Sequence, residues 1–255
     1  MNPTSPAPET KTLLITGATS GIGYAAARHF IELGWKLVIT GRDKARLERA
    51  CEKLKQETGA EVLGILADSA ELSHLGPLVQ TLDECNIRLD GLLLNAGVFQ
   101  PFALTDMSDE LYEQTMQVNF KGPLFTLNAL LPKLNRGASV VYTSSIAVDK
   151  GFAGAAIYSA SKGAFEAAMK ALNLELAGQK IRINSLRPGV TLTEIQQKAG
   201  FSQAQIDGLG GQLAATAFGD FLLPSHMLSA LTFLLSPGSE GVIGTTVTVD
   251  GGYCL

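Results

Sequence analysis

The feature that most restricts the fold of this chain is a strand that runs directly into a glycine-rich turn and then a helix. Residues 11–16 are largely apolar, residues 17–23 read GATSGIG, and a helical pattern continues to Gly34. Such a turn lets the backbone approach a pyrophosphate closely, and the free N–H groups of the following helix favour bound anions. The sequence therefore predicts a phosphate-binding β-α unit, although a turn of this kind can also serve helix packing alone.

Six further apolar runs alternate with helical patterns along the rest of the chain. We place them at residues 36–40, 61–66, 89–94, 138–143, 180–184 and 245–249. Near-continuous apolar strands that alternate with helices indicate a parallel sheet covered by helices on both faces. We therefore expect an α/β, doubly wound, seven-stranded parallel sheet in a single domain over residues 11–255. A disordered tail is expected at 1–10, and the irregular, glycine-rich segment 191–223 is expected to border the substrate.

Two polar residues lie inside predicted helices. Residues 108–134 form one long helical stretch that Pro123 and Pro132 should kink or end, and it carries Asn119. For Asn119, a surface position and a local bend with a water-bridging role are both open at this point. His74 lies away from any other metal-ligand type and is interpreted as a surface histidine.

Composition argues against several classes of function. The 255 residues carry a net charge of -4, have a pI near 5.4 and contain no basic run, which argues against a nucleic-acid or lipid-surface binder. Three widely spaced cysteines lack the spacing of metal ligands and are expected to be reduced thiols, so we expect no metal site and a cytoplasmic location. We also expect no secretory signal and no membrane span.

The end of the second predicted strand bears on cofactor choice. In a dinucleotide site, an acid at this place would bind the ribose 2′-hydroxyl, but here it holds Gly41, with Arg42 next. A carboxylate would repel a 2′-phosphate, whereas a guanidinium can bind it through charge-assisted hydrogen bonds. The sequence therefore favours NADP(H), with NAD(H) as the alternative. A simple solvent-exposed role for Arg42 remains open at this point.

The helix predicted over 155–177 carries Tyr158 and Lys162, four positions apart and therefore on one face. A neighbouring ammonium favours the phenolate and lowers the pKa of a tyrosine. Because free tyrosine titrates near ~10, a proton shuttle working near neutrality needs a shift worth roughly 4 kcal/mol, which is a large demand on one lysine. A bound oxidised nicotinamide would supply a second positive charge. By itself, the pair is much more typical of an exposed charge beside an amphipathic aromatic ring.

Further motifs occur in an order and at separations that resemble the short-chain dehydrogenase/reductase family, single-domain branch, from about residue 11 to 252. The matching stretches are TGATSGIG at 16–23, NAG at 95–97, Asn119, Ser145, the Tyr158–Lys162 pair, Pro188 with Gly189, and VDGG at 249–252. Each motif is weak alone, whereas the combination is highly specific. The resemblance implies a Rossmann-type fold, a nicotinamide dinucleotide cofactor and assembly as a homodimer or homotetramer.

The resemblance also implies roles for individual residues. Tyr158 would exchange a proton with the substrate oxygen, Lys162 would lower its pKa and hold the nicotinamide ribose, and Ser145 would fix the substrate oxygen. Asn119 would hold a water that links Lys162 to solvent. The residues implied in cofactor binding are Gly17, Ser20, Gly21, Ile22, Gly23, Arg42, Asp68, Asn95, Gly97, Tyr158, Lys162, Pro188, Gly189, Thr191 and Thr193.

Several positions depart from the family pattern. Ser20 stands where many NADP-dependent members carry a basic residue, and Arg187 and Thr191 stand where apolar residues are usual. Asp220 and His226 occupy the places where the family often shows an arginine and a glutamate beside the proline of the penultimate helix.

We therefore expect an enzyme that uses NADP(H) to interconvert a ketone or aldehyde and an alcohol, of the carbonyl or 3-oxoacyl reductase type, with a small-molecule substrate. The alternative from another class is a catalytically silent dinucleotide-binding sensor or scaffold protein. An enoyl reductase of the same fold has a longer tyrosine-to-lysine spacing than the four positions seen here.

The substrate pocket is expected to have an apolar wall, although these side chains would equally suit packing of loops onto the core. The candidate residues are Phe99, Phe102, Val148, Phe152, Phe201, Ile206 and Leu209. Glycines at 208, 210 and 211 would let the 191–223 segment act as a closing lid.

Overall fold

A computed structural model describes residues 10–255 and contains one sheet of seven parallel strands in the order β3-β2-β1-β4-β5-β6-β7. The strands are β1 (Thr12–Ile15), β2 (Lys36–Gly41), β3 (Val62–Leu66), β4 (Leu89–Leu94), β5 (Leu134–Thr143), β6 (Arg182–Pro188) and β7 (Thr246–Val249). Every strand pairing is parallel. The predicted doubly wound α/β fold is therefore confirmed.

Helices cover both faces of this sheet. They are α1 (Gly21–Glu32), α2 (Lys44–Thr58), α3 (Leu75–Glu84), α4 (Asp109–Met116), α5 (Gly122–Leu130), α6 (Ala156–Glu175), α7 (Ile195–Lys198), α8 (Gln203–Leu213) and α9 (Leu228–Leu235). Side chains alternate between the faces along each strand, so Leu13 and Ile15 of β1 join one apolar cluster while Leu14 joins the other. Burial on both faces explains why the strands are nearly continuous apolar runs.

The order of the strands reverses between β1 and β4, which places the candidate site. From β1 the chain proceeds outward through β2 and β3, and then returns to pair β4 with the other side of β1. The Thr16 N–H donates to the Leu93 carbonyl at 2.9 Å, so the ends of β1 and β4 lie side by side. A crevice opens outside the carboxyl ends of parallel strands at such a reversal, and ligands bind there.

The long helical stretch predicted over 108–134 is divided into several parts. Helix α4 is followed by a π-helical turn at Gln117–Lys121, then by α5 and a 3₁₀ turn at Leu131–Lys133. Pro123 lies in the first turn of α5, where the missing N–H breaks no helical hydrogen bond. The bend therefore lies before the proline, at the turn that contains Asn119.

Two predicted strand boundaries and one segment predicted as irregular differ from the structure. Strand β5 begins earlier because Leu134 pairs with Leu89 before an irregularity shifts the register to Gly91 and Ser139. Strand β6 begins later because Lys180 has a left-handed φ of 58° and cannot continue a strand. The segment 191–223, predicted as irregular, contains the helices α7 and α8.

The predicted tail at 1–10 falls, except for Thr10, outside the described residues. Among residues 10–255, no helix combines the length and apolar character needed to cross a bilayer.

Candidate active site

The turn after β1 has the shape that a pyrophosphate requires. Gly17 and Gly21 adopt left-handed φ values of 64° and 58°. A Cβ on Gly17 would lie 2.8 Å from the Ala96 Cα, so a side chain would collide with the turn after β4. Helix α1 begins immediately afterwards, and within the described residues the Ser20 side chain makes no capping hydrogen bond. The first N–H groups of α1 are thus available to an anion, so this turn fits a dinucleotide phosphate.

Asn95 holds this turn in place from the end of β4. Its amide Nδ2 donates to the carbonyl oxygens of Thr16 and Gly17, each at 3.1 Å. In return, the Thr16 hydroxyl accepts the N–H of Asn95 at 3.0 Å. A Cβ on Gly23 would lie 2.6 Å from the same amide nitrogen. The Asn95 amide is therefore engaged with the phosphate turn, while a direct contact of Asn95 with a cofactor ribose stays a prediction.

Asn119 lies in the π-helical turn and is fully buried. Its Oδ1 accepts the Val98 N–H at 2.9 Å, and its Nδ2 donates to the Val98 carbonyl at 3.0 Å and to the Ser161 hydroxyl at 3.1 Å. The Tyr142 hydroxyl also donates to the Asn119 carbonyl at 2.6 Å. Of the two alternatives that the sequence leaves open, burial excludes the surface position, and Asn119 ties the π-helical turn to α6 and to the loop after β4.

Lys162 is buried at the carboxyl end of β5. Its Nζ donates to the Thr143 carbonyl at 2.8 Å and lies 4.9 Å from the Tyr142 ring centroid. A Cβ on Gly97 would lie 3.1 Å from this nitrogen, so the glycine leaves open space beside the ammonium. Burial lowers the pKa of Lys162 from 10.5 to about 7, and the charge of Glu166 opposes the shift.

Tyr158 lies beside Lys162, with the lysine nitrogen 6.0 Å from the phenol ring centroid. Burial raises the pKa of Tyr158 above its ordinary value, and a hydrogen bond with the Ser145 hydroxyl opposes this shift. The expected acidic phenol is therefore not a property of the chain alone, because desolvation outweighs the influence of its neighbours. A further positive charge beside the phenol would be needed to reverse the direction.

Two adjacent serines follow β5. The Ser145 hydroxyl accepts the Ala147 N–H at 3.1 Å. The Ser144 hydroxyl is buried and has no hydrogen-bond partner among the residues that the structure describes. The choice of Ser145 over Ser144 as the candidate catalytic serine stays a prediction.

The chain after β6 covers the phosphate turn. Pro188 pairs with Val249 of β7, and a Cβ on Gly189 would lie 2.6 Å from the Asp250 Cα, so this glycine allows the two strand ends to meet. The Thr191 hydroxyl donates to the Gly189 carbonyl at 3.0 Å. The Thr193 methyl would lie 3.3 Å from a Cβ on Gly21, which places this residue over the start of α1.

Arg42 and Asp68 lie at the outer end of the crevice. A Cβ on Gly41 would lie 2.6 Å from the Thr19 methyl, so the end of β2 touches the phosphate turn, and Arg42 follows in an exposed position. The Asp68 carboxylate accepts the Ala70 N–H at 3.0 Å. The Asp68 N–H donates to His74 Nδ1 at 3.0 Å, so the half-buried His74 supports this loop.

Two networks of ion-paired side chains are not predicted by any pattern in the sequence. Arg187 pairs with Glu166 and Asp149, and its Nε donates to Glu166 at 2.8 Å. This network explains the departure at Arg187, because the guanidinium neutralises a buried carboxylate one helical turn beyond Lys162. Arg46 pairs with Glu194 across the crevice, and Lys198 pairs with the same carboxylate from four positions further along the chain. In both networks at least one partner is distant in sequence, so no local pattern reveals them.

The expected apolar wall exists in part. The Phe99 ring packs edge-on against Tyr158 with centroids 4.8 Å apart, and Phe201 lies 6.2 Å from Phe99. Ile206 is buried, whereas Phe152 stacks on Tyr253 at 5.9 Å.

The prediction that glycines 208, 210 and 211 give the 191–223 segment its freedom to move is wrong. Residues 208, 210 and 211 all lie inside α8, and the left-handed glycines of the segment are Gly200 and Gly219, at φ 82° and 80°, on either side of that helix.

The chain is similar to known proteins over nearly its whole length. A family model described as enoyl-(acyl carrier protein) reductase matches residues 17–254. A tropinone reductase homolog from Datura stramonium is 32% identical over 250 residues, which cover 96% of this chain and 92% of that protein.

Two solved structures share the fold. A short-chain dehydrogenase/reductase from Brucella melitensis, described as a glucose/ribitol dehydrogenase, is 31% identical to this chain and superposes with a TM-score of 0.85. The match covers 95% of this chain and 96% of that chain. A short-chain dehydrogenase from Burkholderia cenocepacia, solved in complex with NADP, is 26% identical to this chain and superposes with a TM-score of 0.86. The match covers 96% of this chain and 98% of that chain.

Proposed function

Because this chain belongs to the short-chain dehydrogenase/reductase family and is an oxidoreductase, we propose that it uses NADP(H) to interconvert a ketone or aldehyde and an alcohol. The observation that carries this proposal is the meeting of Tyr158, Lys162 and Ser145 at the carboxyl end of β5, next to a glycine turn shaped for a pyrophosphate. A proton-transfer group beside a dinucleotide site is what reversible carbonyl reduction requires.

Each of these side chains has a role that its surroundings support. Tyr158 gives a proton from its hydroxyl to the substrate oxygen, and Ser145 donates a hydrogen bond to that same oxygen. Lys162, with a pKa of about 7, returns a proton towards the phenol, since a group that titrates near the working pH both accepts and donates readily. Asn119 fixes the loop after β4, whose Gly97 lies beside both Asn119 and Lys162. When bound, the dinucleotide supplies the hydride and, in its oxidised form, a positive charge.

The protonation of the phenol suits the acid step of reduction. Burial raises the pKa of Tyr158, so the hydroxyl stays protonated until a positive charge arrives nearby. A protonated phenol is the general acid that reduction needs, whereas oxidation needs a phenolate. For oxidation, the oxidised cofactor would supply the positive charge that favours the phenolate, so the site serves both directions.

The cofactor preference rests on the end of β2. Gly41 leaves no carboxylate to repel a 2′-phosphate, and Arg42 is exposed next to the phosphate turn. The Burkholderia cenocepacia relative, which binds NADP in its crystal structure, adds support by similarity. We therefore propose NADP(H) as the preferred cofactor.

The substrate faces an apolar wall. Phe99 lies against the phenol of Tyr158, and Phe201 approaches Phe99 from the segment after β6. Two aromatic rings beside the reacting oxygen favour a moderately hydrophobic ketone or oxoacyl compound over a sugar phosphate, because a charged group would lose its hydration against them.

A homodimer or homotetramer is part of the same proposal. Leu174 on α6 is 81% exposed and Phe125 on α5 is 44% exposed. Large apolar side chains in water at two neighbouring helices favour burial against a second copy. Light scattering after gel filtration measures the assembly, and a monomer would contradict it.

The enzyme is tested by mixing it with NADPH and a panel of ketones, diketones, steroids and oxoacyl thioesters, and following the loss of reduced cofactor. Tyr158→Phe should lower turnover by roughly 10²–10⁴-fold, because only the proton donor is lost. NADPH affinity should stay unchanged, and Tyr112→Phe, an exposed tyrosine on α4, serves as the matched control.

Two other results of this assay would each favour a different function. The family model's description names an enoyl reductase, and consumption of NADPH only with an enoyl thioester would favour that reaction over carbonyl reduction. Tight NADPH binding without turnover on any compound would instead favour a sensor or scaffold protein.

A further inference from the structure

Lys198 reaches back over the phosphate turn from α7. Its Nζ lies 3.4 Å from the Ser20 hydroxyl, although the two residues are 178 positions apart. The same nitrogen pairs with Glu194 at 2.9 Å. The ammonium therefore lies against the N-cap residue of α1, although this chain has no basic residue at that position of the glycine motif itself.

Arg46 is a second cation that pairs with the Glu194 carboxylate, and it belongs to a different helix. Arg46, in the first turn of α2, forms an ion pair with Glu194 through its Nη2. The backbone N–H of Arg46 donates to Asp43 Oδ1 at 2.8 Å, so the Asp43 carboxylate caps the start of α2. The Glu194 carboxylate is thus an anion bridged by two cations from two separate elements.

These groups stand where the adenosine ribose of a dinucleotide is expected. The end of β2 touches the phosphate turn through Gly41 and Thr19, and the ribose 2′ position lies beyond the end of that strand. Arg42 follows Gly41 in an exposed position and forms no ion pair with any residue from 10 to 255. Arg46 and Lys198 share the Glu194 carboxylate, and Arg42 adds a third cation at the strand end beside this turn.

We propose that Lys198 and Arg46, with Arg42, form the binding site for the adenosine 2′-phosphate, and that the Glu194 carboxylate holds its place until the phosphate arrives. This inference rests on the proposed preference for NADP(H). A phosphate carries more charge and more acceptor oxygens than a carboxylate, so it displaces Glu194 from its two partners. Because Lys198 belongs to the segment after β6, a bound phosphate also ties that segment to the phosphate turn.

The test uses two fragments of the cofactor, 2′,5′-ADP and 5′-AMP, whose binding to the purified protein is measured by calorimetry. The wild type should bind 2′,5′-ADP more tightly than 5′-AMP. Lys198→Met should weaken 2′,5′-ADP about tenfold and leave 5′-AMP unchanged, because one exposed charge-assisted contact is lost. Lys53→Met is the matched control, since Lys53 also forms an exposed pair with a glutamate four positions away, at the far end of α2.

A second variant distinguishes a phosphate site from an arrangement in which Glu194 only holds Lys198 in place. Glu194→Gln should bind 2′,5′-ADP more tightly than the wild type, since it removes the competing anion and frees both cations. If Glu194 served only to hold Lys198, Glu194→Gln would weaken 2′,5′-ADP as Lys198→Met does, and the proposed displacement would be overturned.

Failure of this site and failure of the cofactor preference give different results. A wild type that binds the two fragments equally contradicts the preference for NADP(H) itself. A wild type that prefers 2′,5′-ADP, together with a Lys198→Met variant that keeps the full preference, leaves NADP(H) in place and overturns the role of Lys198.

Discussion

Lys162 is expected to destabilise the folded protein, and this can be measured. Burial holds the pKa of Lys162 at about 7, whereas the same group in an unfolded chain titrates near 10.5. Each unit of pKa difference corresponds to about 1.4 kcal/mol between the two protonation states. The charged ammonium therefore costs the folded state about 5 kcal/mol at pH 6, where both states are protonated.

The sign of the pH dependence follows from proton binding. Between pH 7 and 10.5 the unfolded chain holds a proton at this site that the folded chain has released. Wild-type stability therefore rises with pH across this window, and the cost of Lys162 falls to about 2 kcal/mol at pH 9.

The perturbation is Lys162→Met, which keeps the side-chain length and removes the charge. It also removes the hydrogen bond from Nζ to the Thr143 carbonyl, a loss of about 1–3 kcal/mol. The variant should therefore be more stable than the wild type by about 2–4 kcal/mol at pH 6 and nearly equal to it at pH 9. Turnover should be lost in the same protein.

The assay is urea unfolding at pH 6 and pH 9, with the free energy of unfolding obtained by linear extrapolation. Lys170→Met, at an exposed position on the same helix, is the control and should show no such change with pH. The reasoning is refuted if Lys162→Met is less stable than the wild type at pH 6, or if the difference between the two proteins is the same at both pH values.

Three further outcomes are expected. Arg187→Met should lower the free energy of unfolding by about 3 kcal/mol, because it leaves the Glu166 carboxylate buried without its partner. Adding Glu166→Gln should restore most of the loss, and equal stability of the single and double variants would contradict the pairing. Gly41→Asp combined with Arg42→Ala should shift preference towards NADH, because a carboxylate accepts the 2′-hydroxyl and repels the phosphate; an unchanged ratio of NADPH to NADH activity would refute the role of Arg42. Hydrogen exchange across residues 191–223 should slow when NADPH binds, since this segment lies over the phosphate turn, and unchanged exchange rates would rule out a closing movement.

The sequence predicts the elements whose signals are local. The turn after β1 is recognisable because its glycines must adopt left-handed backbone conformations next to a strand and a helix, and the structure has them at Gly17 and Gly21. The adjacency of Tyr158 and Lys162 follows from the period of a helix, which needs no tertiary information. The apolar strands predict a doubly wound sheet because burial on both faces removes polar residues from the sequence.

Tertiary structure alone decides the electrostatics of the site. The pKa values of Lys162 and Tyr158 depend on how far each is removed from water, and burial moves the phenol in the direction opposite to the one that the pair by itself suggests. The bend at Asn119 arises because its side chain bonds to Val98 on a loop 21 positions away. Lys198 reaches Ser20 across 178 positions. Desolvation and contacts between distant segments exist only once the chain has packed, so no local pattern in the sequence encodes them.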